Sequence, residues 1–188
     1  MVLHHSSNTS DLTMSLLDRV DRRVLRLART RWHDPSAERA VADFSRLGEH
    51  GAVWLALGAA GYALDGAGRE QWRRATVAVA GAYALNTLVK QLVRRRRPDL
   101  PGLAPLTSTP TRLSFPSAHA AASFAGARCY SRLGLPAPAL YALAVSLSLS
   151  RLYLGVHYPS DVLAGALLGT VVGALASDSS ADRETQPR

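Results

Sequence analysis

The sequence predicts an all-α protein: an integral-membrane helical bundle of about five spans, preceded by an amphipathic helix. Three observations lead there. Between residues 101 and 177 the only charged side chains are Arg112, Arg128, Arg132, Arg151 and Asp161. Uncharged runs rich in Ala, Gly, Leu and Val cover 51–64, 75–89, 133–150 and 162–177. No strand alternation, internal repeat or Gly-rich phosphate loop interrupts them. A soluble helix normally keeps one wet face, so consecutive runs apolar all round and bounded by Arg, Asp or Trp fit a bilayer. Only 133–150 reaches the roughly 18 residues that argue a span by length; the shorter runs also suit buried helices of a soluble bundle.

Taken in order, residues 1–10 read as a flexible terminus, and the first thirty residues lack the continuous apolar stretch of a secretory signal. From 11 to 31, Leu17, Val20, Val24 and Leu27 recur at helical spacing among Arg19, Arg22, Arg23, Arg26 and Arg29. That pattern makes 11–48 an amphipathic, interfacial segment; a helix in the headgroup region and a helix docked on the domain both satisfy it. Residues 49–177 form the main helical domain. Asp65-Gly66-Ala67-Gly68 is a turn between two apolar helices, and Pro98 ends the second, because proline lacks an amide and clashes with the preceding turn. Pro98, Pro101, Pro105, Pro110 and Pro116 make 98–116 an irregular loop, long enough to suggest a functional one. Helices then start near Ser117, run from Pro136 to about Tyr153, and restart at Pro159, a residue suited to a first turn. Residues 178–188 read as a disordered tail.

Composition narrows the function. Lys and Arg total 22 against 14 Asp and Glu, yet Lys90 is the one lysine. An almost pure arginine content points to coding bias rather than a nucleic-acid surface, so no nucleic-acid partner is expected. A single cysteine, Cys129, excludes an intrachain disulfide framework and a cysteine-based zinc site.

The chemistry lies in the titratable residues that the apolar half tolerates. Lys90 and Arg97, seven residues apart, are expected on one face of the helix that Pro98 terminates. His119 follows Ser117 at a helix start, where free amides favour an anion. Arg151, His157 and Asp161 fall where the chain next returns to that end. Arginine forks and an ammonium match phosphate oxygens. One histidine can attack phosphorus if a carboxylate fixes its tautomer, while the other protonates the departing oxygen. Phosphoryl transfer needs mostly positioning and charge stabilisation, so no metal or other cofactor is called for.

Lys90, six residues, Arg97-Pro98; Pro116-Ser117-Ala118-His119; and Ser150-Arg151, five residues, His157, three residues, Asp161 together resemble the three-part signature of the type 2 phosphatidic acid phosphatase (PAP2) superfamily. That family also contains vanadium haloperoxidases. The departure is Ala118, where the family generally has glycine; an alanine amide still reaches phosphate if φ is negative. The resemblance implies that His157 is the nucleophile, Asp161 its orienting carboxylate and His119 the general acid. It implies that Lys90, Arg97, Arg151, Ser117 and the Ala118 amide hold phosphate. It also implies a multi-pass cell-membrane enzyme acting on a lipid phosphate through a phosphohistidine. A polyprenyl-linked substrate, decaprenylphosphoryl-5-phosphoribose or a polyprenyl diphosphate, is the leading expectation, and phosphatidylglycerophosphate or phosphatidic acid the alternative.

Bland readings stand beside these. Arg94 to Arg96 read as a flank meeting headgroups, Arg128 and Arg132 as snorkelling anchors, and Asn86 and Tyr153 as either site lining or helix packing. A soluble acid phosphatase or haloperoxidase-like enzyme, and an inactive anionic-lipid binder, are the competing functions. Basic residues near the spans favour neither membrane face for the site.

Overall fold

The computed structural model describes residues 15–31 and 33–184, with side chains through Ser177. The terminus expected at 1–10, the first residues of the amphipathic segment and residues 185–188 lie outside the described residues. Among the described residues the architecture is entirely helical: α1 (Leu16–Arg31), α2 (Glu38–Arg46), α3 (Ala52–Leu64), α4 (Arg69–Val93), α5 (Ala118–Ser131), α6 (Ala137–Tyr153) and α7 (Pro159–Glu184). A short 3-10 turn, Glu49–Gly51, leads into α3.

Helix α5 is the axis of the bundle, with α4, α6 and α7 packed around it. Its sequence explains that place. Ala120, Ala121, Ala122, Ala125 and Ala127 are all fully buried, so neighbouring backbones approach closely on every side. Trp54 of α3 lies against Gly126, where a Cβ would stand 2.4 Å from the indole ring. The indole donates to Ser123 Oγ at 2.9 Å, and Tyr130 Oη donates to the Trp54 carbonyl at 2.8 Å, so the polar atoms of both large aromatics are satisfied in the core.

Helix α7 has two opposite faces. Gly165, Gly169 and Gly173, four residues apart, meet α5: a Cβ on Gly169 would lie 2.1 Å from the Ala121 carbonyl oxygen, and one on Gly165 2.3 Å from that of Ser117. Small residues at this spacing let helix backbones touch. The other face turns Leu163, Leu167 and Leu175 outward at 66–70% exposure. Leu85, Leu88 and Leu92 of α4 and Leu149 of α6 are also exposed. A water-facing bundle rarely shows so much branched apolar surface. Among the described residues one helix, over Pro159–Ser177, is long and apolar enough to cross a membrane. Gly169→Ala should push α7 off α5 and cost about 1–3 kcal/mol of stability. Gly81→Ala, where an added Cβ meets nothing within 4 Å, should leave the thermal midpoint in detergent unchanged or raised.

Most expected boundaries hold. Asp65 closes the α3–α4 turn through the Gly68 amide at 2.8 Å, Pro136 precedes α6, and Pro159 opens α7. Two differ. Helix α7 continues past Ser177 to Glu184, into the segment expected as a disordered tail. Helix α4 stops at Val93, so Arg97 does not share its face with Lys90 as the spacing suggested. Arg94 adopts a left-handed conformation, φ 54°, and its amide caps the Lys90 carbonyl at 3.1 Å. The chain then runs extended and is held across the loop: the Ser114 amide donates to the Arg95 carbonyl at 2.8 Å and the Arg97 amide to that of Arg112 at 3.1 Å.

The amphipathic segment divides into α1 and α2. Helix α1 docks through its polar side: Asp21, Leu25, Ala28 and Arg29 are buried, whereas Leu17, Val20, Val24 and Leu27 face outward. Leu25 packs with Leu100 and Tyr158, and Arg29 donates to the Ala104 carbonyl at 3.0 Å.

Candidate active site

A cavity of about 400 Å³ opens at one end of the bundle, and Lys90, Arg97, Ala118, His119, Arg151 and His157 all line it. The remaining two residues singled out by sequence, Ser117 and Asp161, are fully buried, and the Ser117 amide donates to the Asp161 carbonyl at 2.9 Å. Three segments distant in sequence therefore meet. Lys90 comes from the last turn of α4, His119 from the first turn of α5, and Arg151 from the last turn of α6. Arg97 and His157 come from the connections that follow α4 and α6. Ala118 does not have the positive φ found at His50 and Arg94, so its side chain costs no backbone strain.

Hydrogen bonding sets the protonation of His157. Arg97 is fixed by Nε to the Thr111 carbonyl at 2.8 Å and by Nη1 to that of Val156 at 2.7 Å, and Nη1 also faces His157 Nε2 at 3.2 Å. A guanidinium only donates, so Nε2 accepts and carries a lone pair. The ring proton then sits on Nδ1, 3.5 Å from Asp161 Oδ2, an ion-pair distance at which Nδ1 makes no hydrogen bond among the described residues. Burial presses the His157 imidazole down to about 3, further than its contact with Asp161 restores it, and the nearby Arg97 charge adds to the depression. At neutral pH the ring is uncharged. Burial lowers Arg97 only to about 10, so it stays cationic.

Two residues outside the three motifs complete the geometry. Ser45, in α2 and 1% exposed, accepts Arg151 Nη1 on its hydroxyl at 2.7 Å and His119 Nε2 on its carbonyl at 3.0 Å. Arg95, read from sequence as a headgroup flank, instead donates Nη1 to Asp161 Oδ1 at 2.9 Å. Nothing in the local sequence distinguishes Arg95 from its arginine neighbours. Asn86 is fully buried beneath the site but does not line the cavity, and Tyr153 turns away to the Asp34 carbonyl at 2.7 Å. Ser117 Oγ and Arg151 Nε are buried without a hydrogen-bond partner among the described residues. Orphaned donors around a cationic cavity suit an anion with several acceptor oxygens. A neutral imidazole lining that cavity can attack phosphorus.

Comparison with known proteins gives the family. Residues 71–184 match the model of the PAP2 superfamily. Decaprenylphosphoryl-5-phosphoribose phosphatase of Mycobacterium tuberculosis is 43% identical over 141 residues, covering 74% of this chain and 78% of that protein. Its namesake from Mycolicibacterium smegmatis is 47% identical over 122 residues, covering 64% and 67%. Among solved structures, the transmembrane PAP2-type phosphatidylglycerolphosphate phosphatase of Bacillus subtilis superposes with a TM-score of 0.75 at 22% identity, covering 94% of this chain and 91% of that one. Aquifex aeolicus LpxE gives 0.74 at 26% identity, covering 87% and 98%. The chain belongs to the PAP2 superfamily. It is a phosphoric ester hydrolase.

Proposed function

We propose that the chain is a multi-pass cell-membrane phosphatase that releases orthophosphate from a lipid phosphate through a phosphohistidine on His157. The observation that carries this reading is the single cavity shared by His119, His157 and the cations Lys90, Arg97 and Arg151. The three cations, Ser117 Oγ and the Ala118 amide hold the phosphate oxygens. His157 Nε2 forms a bond to phosphorus as the ester P–O bond breaks, and His119, protonated once the bound phosphate offsets the cations around it, gives its proton to the departing alkoxide. Asp161 stabilises the positive charge that His157 acquires. Water then attacks phosphorus, gives a proton to His119, and the N–P bond breaks to restore the free imidazole.

The relatives' names direct the substrate choice toward decaprenylphosphoryl-5-phosphoribose, in which the departing group is a sugar alcohol. The cavity supports that choice. Beside the cations it is lined by Glu49, His50, Tyr83, Thr87 and Gln91. A carboxylate only accepts and repels phosphate, so Glu49 suits the hydroxyl groups of a leaving alcohol. Glu49 follows Gly48, where an added Cβ would meet the His119 ring at 2.6 Å, so the chain brings Glu49 close to His119. Detergent-purified enzyme should release orthophosphate from decaprenylphosphoryl-5-phosphoribose in EDTA. Its kcat/KM there should exceed that on phosphatidylglycerophosphate, phosphatidic acid or a polyprenyl diphosphate by about tenfold or more. Preference for a glycerolipid would select the alternative substrate, and hydrolysis of none would refute the reading.

A further inference from the structure

The amino-terminal helix reaches the reacting groups through one arginine. Asp161 is fully buried, and its two oxygens are divided: Oδ2 faces His157 and accepts the Tyr158 amide at 2.8 Å, while Oδ1 accepts Arg95 Nη1 at 2.9 Å. The other end of the same guanidinium, Nη2, lies 2.8 Å from Asp21 Oδ2 and 3.1 Å from Asp18 Oδ1, both on α1. Its plane sits 4.3 Å from the Tyr158 ring centroid, which blocks it from swinging away. Asp21 is 1% exposed and also binds Ser160, accepting the backbone amide at 2.9 Å and the hydroxyl. One guanidinium thus bridges two buried carboxylates, and the first turn of α7 is held from both sides.

We infer that Arg95 is a positioning residue for the phosphatase reaction, holding Asp161 toward His157, and that α1 fixes Arg95 through Asp21. The inference rests on the reading of His157 and Asp161 above. Without Arg95, Oδ1 is a buried anionic oxygen with no counter-ion in contact, and the carboxylate either takes a proton or turns toward water. Either change loosens the hold on the Nδ1 proton and lowers the fraction of His157 with its lone pair on Nε2. The helix whose outer stripe of Leu17, Val20, Val24 and Leu27 is exposed is therefore the helix whose inner face sets the nucleophile.

The test is the rate constant of phosphoenzyme formation in rapid-quench experiments on full-length enzyme in detergent, a quantity that an unfolded fraction does not move. Arg95→Gln should slow it about 10- to 100-fold with little change in KM. Asp21→Asn, which preserves volume and leaves both Arg95 and Asp161 in place, should slow it less but in the same direction. Asp161→Asn should slow it about 1,000-fold or more. Adding Arg95→Gln to Asp161→Asn should cost no more than about threefold further, because the two act through one carboxylate. If the losses instead multiply, or if Arg95→Gln alone leaves the rate constant unchanged, Arg95 does not act through Asp161 and the inference falls while the reading of the site stands. A fully active Asp161→Asn enzyme would overturn that reading itself.

Discussion

His157→Ala is expected to abolish phosphate release, lowering kcat on the order of 10⁴-fold or more. The size follows from the imidazole's position. Its Nε2 carries a lone pair beside Arg97 in the cationic cavity, and the ring is neutral because burial disfavours the imidazolium. Removing it leaves only the charge stabilisation by Lys90, Arg97 and Arg151, which binds phosphate without forming a bond to it. KM for the residual activity should therefore change little. Phosphate release from labelled lipid substrate, measured alongside substrate binding to the variant, checks both halves. Unimpaired turnover would remove His157 from the mechanism.

His119→Ala carries the second large effect, and that effect depends on the substrate. General acid catalysis contributes about 10²–10⁴-fold when the leaving group is a poor one. An alkyl alcohol needs the proton; an activated aryl alcohol leaves as the anion. The variant should lose about 10²–10⁴-fold on a lipid or sugar phosphate ester and less than about tenfold on an aryl phosphate. The contrast separates acid catalysis from damage to the pocket. His119 is also bonded to Ser45 and packed on Gly48, so a purely structural loss would lower both activities equally.

Much of this site was legible before any coordinates. Lys90, Arg97, His119, Arg151, His157 and Asp161 stand out because an apolar chain tolerates so few charges, and the helix breaks after Val93 and at Pro136 and Pro159 bring them to one end. Arg97 reached the cavity by another route than expected. The spacing suggested one continuous helix, whereas the left-handed turn at Arg94 ends it, and the following residues are held by an isolated bridge between Arg96 and Leu113. Four successive arginines give no hint of where such a turn falls.

The contributions of the amino-terminal segment were hidden for a different reason. Ser45 and Asp21 make their contacts across 74 to 106 residues of chain, and serine or aspartate on a surface-like helix carries no local signal of burial. The apolar stripe of α1 does not mark its docked side. In water an apolar stripe turns to the core, but in a bilayer the stripe can face lipid while polar groups face protein. Asp21 and Arg29, four and eight positions from Leu25 and Asp21 respectively, mark the docked side only once the partner helices are in view.

The most direct measurement is to map the covalent intermediate. Enzyme mixed with phosphate-labelled lipid substrate, quenched within its first turnover under alkaline conditions that preserve phosphohistidine, and digested to peptides should carry the label on His157. Label on another residue, or turnover with no labelled protein at any quench time, would contradict the account.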